Sequence, residues 1–98
     1  MSKPQRAVAD WLDKHQIDYL LGGGYYGLGN LDIDFLLPYG WIALRIIEDF
    51  ERPDDGRLLQ QAQLLEADGW TLVDLDVDDI RKRLNEVMAG AIEGRFVK

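Results

Sequence analysis

The chain contains no cysteine. Disulfide frameworks, thiolate metal sites and cysteine nucleophiles are therefore excluded. Serine occurs once, at Ser2, and no Gly-x-Ser-x-Gly elbow is present to expose a hydroxyl nucleophile. Histidine also occurs once, at His15, near the end of a helical pattern and without an orienting partner. An imidazole placed there interacts favourably with a helix C-terminus, and a structural role accounts for it. No apolar run approaches the roughly 20 residues of a membrane span, and no signal-peptide hydrophobic stretch opens the chain. Basic residues are in deficit: 11 against 18 acidic ones, for a net charge of −7. Nucleic-acid binders need a basic footprint to displace counterions from phosphate, so the overall charge disfavours nucleic acid and points to a protein partner. The expected location is cytoplasmic or virion-associated.

What is present is concentrated in Asn30 to Ile47, NLDIDFLLPYGWIALRII. Two β-prone runs flank the turn Pro38-Tyr39-Gly40 and predict an antiparallel hairpin. In the first run Leu31, Ile33 and Phe35 alternate with Asp32 and Asp34. The second run is apolar on both faces except at Arg45, as expected of a central strand covered twice. A buried guanidinium needs a partner, and Asp34 or Asp32 on the neighbouring strand is the expected one.

The remaining pattern predicts one domain over 1–98. A helix is expected at 3–15, capped by Ser2, and strands at 17–21, 30–37 and 41–47. A second helix at 55–68 stops at Gly69, a strand follows at 70–75, and a last helix capped by Asp76 or Asp78 fills 78–92. The order αβββαβα is α+β. It predicts a four-stranded mixed sheet flanked by helices, the fourth strand parallel to the third.

Three other signals have simple structural explanations. Gly22-Gly23-Gly24-Tyr25-Tyr26-Gly27 fits G-x-G-x-x-G, but it leads into a strand rather than a pyrophosphate-binding helix. Its tyrosines, Tyr25 and Tyr26, are candidate interface residues, as is Trp41. Asp74 to Asp78 resembles the start of a calcium loop, yet Asp79 and Asn85 stand where glycine and glutamate are required. Strand end and helix cap explain these aspartates. Arg81-Lys82-Arg83 reads as a solvated helix face, opposed as a phosphate site by Asp76, Asp78 and Asp79.

Three stretches, WLDKHQIDYLL, IDFLLPYGWIALRI and LLQQAQLLEADGWTLVDLDVDDI, give the chain a resemblance to a known family. Their pattern and the element order resemble the PD-(D/E)XK, or restriction-endonuclease-like, superfamily, and within it the very-short-patch-repair-like members. The resemblance implies that Asp34 matches the first metal-binding aspartate. Arg45 falls at the second acidic ligand and Ile47 at the lysine. Such nucleases hold Mg²⁺ between two carboxylates, so a guanidinium at position 45 replaces the ion electrostatically. The expectation is a degenerate nuclease fold with no catalytic residue, no metal and no cofactor, acting through protein contacts, with homo-oligomerisation open. Reduced nuclease folds of bacteriophages and mobile elements suggest a structural or assembly role. Two alternatives stand beside it. One is a metal-dependent DNA endonuclease using Asp34 with Asp32 or Glu48. The other is an acidic inhibitor that imitates nucleic acid, which needs its charge gathered on one ridge.

Overall fold

The computed structural model describes residues 2–21, 33–47 and 57–93, and of Arg57, Leu58, Leu59, Gln61 and Ala62 the backbone alone. The expected contacts of Tyr25, Tyr26, Asp32 and Glu48, and the glycine-rich loop, lie outside these residues.

The first helix, α1, runs Lys3–Lys14. Ser2 caps it through a reciprocal pair. Its side chain accepts from the Gln5 backbone N–H at 3.3 Å, and the Gln5 Oε1 accepts from the Ser2 N–H at 2.9 Å. Val8, Ala9, Trp11 and Leu12 are the buried face. The helix ends in a Schellman motif: the Gln16 N–H donates to the Asp13 carbonyl at 3.1 Å and the Ile17 N–H to the Leu12 carbonyl at 2.9 Å. Gln16 adopts the left-handed conformation, φ 57°, that this motif requires.

That ending corrects the strand expected at 17–21. Ile17 is consumed by the helix cap and packs its side chain on the core, so β1 is confined to Leu20–Leu21. Next come β2, Phe35–Leu37, and β3, Ile42–Ile47. They are followed by α2 (Arg57–Ala67), β4 (Thr71–Asp76) and α3 (Val77–Ile92). The end of α2 repeats the Schellman pattern with a glycine. Gly69, φ 92°, donates to the Glu66 carbonyl and Trp70 to the Leu65 carbonyl, both at 3.0 Å. Asp76 accepts from the Asp78 N–H at 2.8 Å and caps α3.

The four strands form one sheet in the order β1-β2-β3-β4. The β1–β2 and β2–β3 pairs are antiparallel, the latter with Phe35 opposite Leu44 and Leu37 opposite Ile42. β3 and β4 are parallel, in register from Ile42 with Thr71 to Ile47 with Asp76. The fold is therefore α+β, a mixed sheet covered on both faces.

Strand alternation divides the core in two. Phe35, Leu37, Ile42, Leu44 and Leu75 face α1 and α3, where Leu12, Ile80 and Met88 close over them. Leu36 and Ala43 face the other way and are covered by Leu65 of α2 with Trp70. Ile42, Ala43 and Leu44 in β3 have no solvent exposure. Fully burying a leucine-sized side chain contributes roughly 1.5–3 kcal/mol, so the β3 sequence commits this strand to the centre.

Candidate functional site

The candidate site residues Asp34, Arg45 and Ile47 lie where β2 meets β3. Asp34 immediately precedes β2, and its backbone N–H donates to the Leu44 carbonyl at 2.9 Å. Leu44 is also the register partner of Phe35. Two consecutive residues thus face one partner, the signature of a β-bulge, and the bulge re-aims the aspartate. Its Oδ1 accepts from Gln5 Nε2 of α1 at 2.8 Å, and its Oδ2 accepts from the Ile46 N–H at 2.7 Å. The carboxylate occupies the place where continued pairing would put the Ile33 carbonyl. It closes the ladder and lies on the α1 side of the sheet.

The same bulge breaks the expected alternation of the first run. Ile33 packs with Leu36 and Leu65 on the α2 side, while Phe35 packs on the α1 and α3 side.

Arg45 is 3% exposed, and its guanidinium lies on the α2 side with the alternation of Ala43 and Leu72. The parallel register sets it beside Asp74. Arg45 Nε donates to Asp74 Oδ1 at 2.8 Å and Nη2 to Oδ2 at 3.2 Å, a two-pronged, charge-assisted pair. This corrects the expectation that Arg45 would pair with Asp34. The bulge turns Asp34 to the opposite face, so the cross-strand neighbour cannot meet the guanidinium. Asp32, the other expected partner, lies outside the described residues. Ile47, at the position matched to the lysine, is 5% exposed and offers only a hydrocarbon side chain.

Of these three positions only Asp34 brings carboxylate oxygens, and both accept hydrogen bonds. Among the described residues, no group of three or more histidines, aspartates or glutamates is placed to hold a metal ion.

The hairpin turn presents two exposed aromatics, Tyr39 at 76% and Trp41 at 49%. Trp41 is in the left-handed region, φ 55°, with its ring 5.0 Å from that of Trp70 at 58°. A bulky residue seldom adopts that conformation, and the Thr71 N–H donating to the Trp41 carbonyl at 2.8 Å helps hold it. Sequence reasoning missed Tyr39, although its place at a Pro-x-Gly turn was the available signal. It also missed Asp74, which pairs with Arg45 only through a long-range register.

His15 stacks on Trp11 with ring centroids 3.8 Å apart, its Nδ1 2.8 Å from the Trp11 carbonyl. Arg81 and Arg83 reach Asp78 and Asp79 at 2.7 and 3.5 Å, and all four side chains are about half exposed or more. No helix among the described residues is long and apolar enough to cross a membrane.

No protein-family profile and no curated protein matches the sequence. Among solved structures, the chain is similar to the catalytic domain of the homing endonuclease I-Bth0305I. The TM-score is 0.71 at 14% identity, over 99% of this chain and 100% of that one. At this identity the likeness is one of fold, the α+β arrangement of a four-stranded mixed sheet flanked by helices.

Proposed function

We propose that this chain is a nuclease-fold protein of the very-short-patch-repair-like type whose site is degenerate, and that it works through contacts with another protein. The observation that carries the reading is Arg45. A buried guanidinium sits at the matched position of the second metal ligand, is fixed to Asp74, and faces away from Asp34. A cation at that point opposes a divalent ion, and the Asp34 carboxylate serves the sheet ladder instead. The net charge of −7 supports a protein rather than a nucleic-acid partner. Phage and mobile-element assemblies are a natural setting for such a fold, by analogy alone.

The test is incubation of purified protein with supercoiled plasmid and Mg²⁺ or Mn²⁺. The expected result is nicking no faster than with Asp34→Ala. Cutting by the wild type that Asp34→Ala abolishes overturns the reading.

One observation favours a second reading, a metal-dependent endonuclease. A carboxylate, Asp34, stands at the β2–β3 junction of a fold shared with a homing endonuclease catalytic domain. In that case Asp34 with Asp32 or Glu48 would hold Mg²⁺. Calorimetric binding of Mg²⁺ that is lost in Asp32→Ala or Glu48→Ala supports it, and no binding at millimolar ion counts against it.

A further inference from the structure

The geometry points to a docking groove along the seam of α1 and α3 that takes an amphipathic helix with acidic margins from a partner protein. The inference deepens the protein-contact reading and rests on it. Two cavities of about 530 and about 550 Å³ adjoin on this outer seam and share Ala7 and Leu84 as common walls. The first is walled by Pro4, Val77 and Ile80, and the second by Trp11 and Asn85. The Trp11 Nε1–H donates to Asn85 Oδ1 at 2.7 Å and ties the two helices beneath the groove. Where the cavities meet, α3 bends: Arg83 leaves helical geometry at φ −148°, ψ 52°, next to Leu84. The bend and the small side chain of Ala7 leave a concave strip that neither helix fills.

Length and charge select the occupant. The α1 wall runs from Lys3 to Lys14, about 16 Å at about 1.5 Å per residue, which matches three turns of a docked helix. Apolar residues at i, i+3, i+4 and i+7 of such a helix would enter the two cavities in sequence. The rim is cationic in a chain of net charge −7. Lys3 and Arg81 flank one end and Lys14 the other, and among the described residues Asp10 is the sole carboxylate lining either cavity. Arg81 already meets Asp78, but that pair is exposed and contributes little, so a partner carboxylate can join or replace it. Nucleic acid fits less well, because a net charge of −7 opposes a polyanion more than a peptide with a few glutamates, and Trp11 is only 7% exposed for base stacking.

The test uses isotope-labelled full-length protein and three probes. One is a synthetic helix-forming peptide of about 14 residues, with leucines at those anchor spacings and glutamates on its flanks. The second carries lysines in place of the glutamates. The third is a single-stranded oligonucleotide. The expected result is that the acidic peptide shifts the Trp11 indole N–H and the Leu84 and Asn85 amides. Lys14→Glu combined with Arg81→Glu should then weaken binding at least tenfold and transfer preference to the lysine peptide. Circular dichroism confirms that this doubly substituted protein is folded. The proposal is overturned if the three reporters stay unmoved at millimolar peptide, if both peptides bind alike, or if the oligonucleotide moves the same residues as strongly. Plasmid cutting would remove the non-nuclease reading without touching this titration. An unmoved groove leaves the degenerate site as it was.

Discussion

Asp34 and Arg45 lie on opposite faces of the sheet, although unbroken pairing beyond Phe35 and Leu44 would have set them across from each other. The bulge at Asp34 separates them, and each then meets a different need. Asp34 satisfies the Ile46 N–H at the open end of the β2–β3 ladder, and Arg45 ties β3 to β4.

Asp34→Asn should cost about 1 kcal/mol and Asp34→Ala about 2–3 kcal/mol. The asparagine is not a neutral replacement, because Gln5 cannot adapt to it. Its Oε1 holds the Ser2 N–H and its Nε2 faces Asp34, so turning the amide breaks the helix cap. An asparagine that accepts from Ile46 therefore points its own NH₂ at the NH₂ of Gln5. Alanine loses both hydrogen bonds and leaves the Ile46 amide without its acceptor. Urea denaturation decides the order, and an asparagine variant as stable as wild type would refute the argument.

Arg45→Ala should destabilise by about 3 kcal/mol, and Arg45→Met by distinctly less. The guanidinium is 4% exposed at its side chain while Asp74 is 38% exposed. Truncation loses charge-assisted hydrogen bonds and opens space between β3 and α2. Water can reach the stranded carboxylate, so the volume left behind contributes much of the loss. Methionine refills that volume. Equal losses for the two substitutions, measured by denaturant midpoint at constant slope, would contradict this division.

Much of the architecture was legible because the signals were local. Gly69 marked the end of α2, Asp76 was one of two aspartates expected to cap α3, and the apolar run of β3 announced a central strand. The parallel placement of the fourth strand beside the third followed from the helical crossover that joins them. The site was not legible for the opposite reason. Nothing in the alternation of Ile33, Asp34 and Phe35 signals a bulge, and one inserted residue reverses which side chains meet. The Arg45–Asp74 pair joins residues 29 apart in sequence and depends on a parallel register. The first strand was read too long because Gln16 occupies a position that glycine usually marks, so the helix ending left no punctuation.

Trp41→Gly should be more stable than Trp41→Ala by about 1 kcal/mol. Both variants lose the contact with Trp70, so that loss cancels in the comparison. What remains is the backbone at φ 55°, where a Cβ crowds the following carbonyl and glycine does not. Thermal unfolding of the two variants side by side measures the difference. A more stable alanine variant would mean that the turn relaxes once the ring is gone.

Gln16→Gly should stabilise the protein by about 1 kcal/mol. Gln16 is exposed, its φ is 57°, and its backbone N–H already serves the Schellman motif, so glycine keeps the hydrogen bond and relieves the Cβ. Glycine also gains freedom in the unfolded chain, which offsets part of the benefit. The left-handed conformation is nonetheless enforced here, because the Ile17 N–H must reach the Leu12 carbonyl while Ile17 packs on the core. Gly69 at the end of α2 shows the same motif with the residue that suits it. The relief should exceed the entropic cost and raise the denaturation midpoint with its slope unchanged, whereas a lowered midpoint would show that the glutamine side chain contributes a contact of its own.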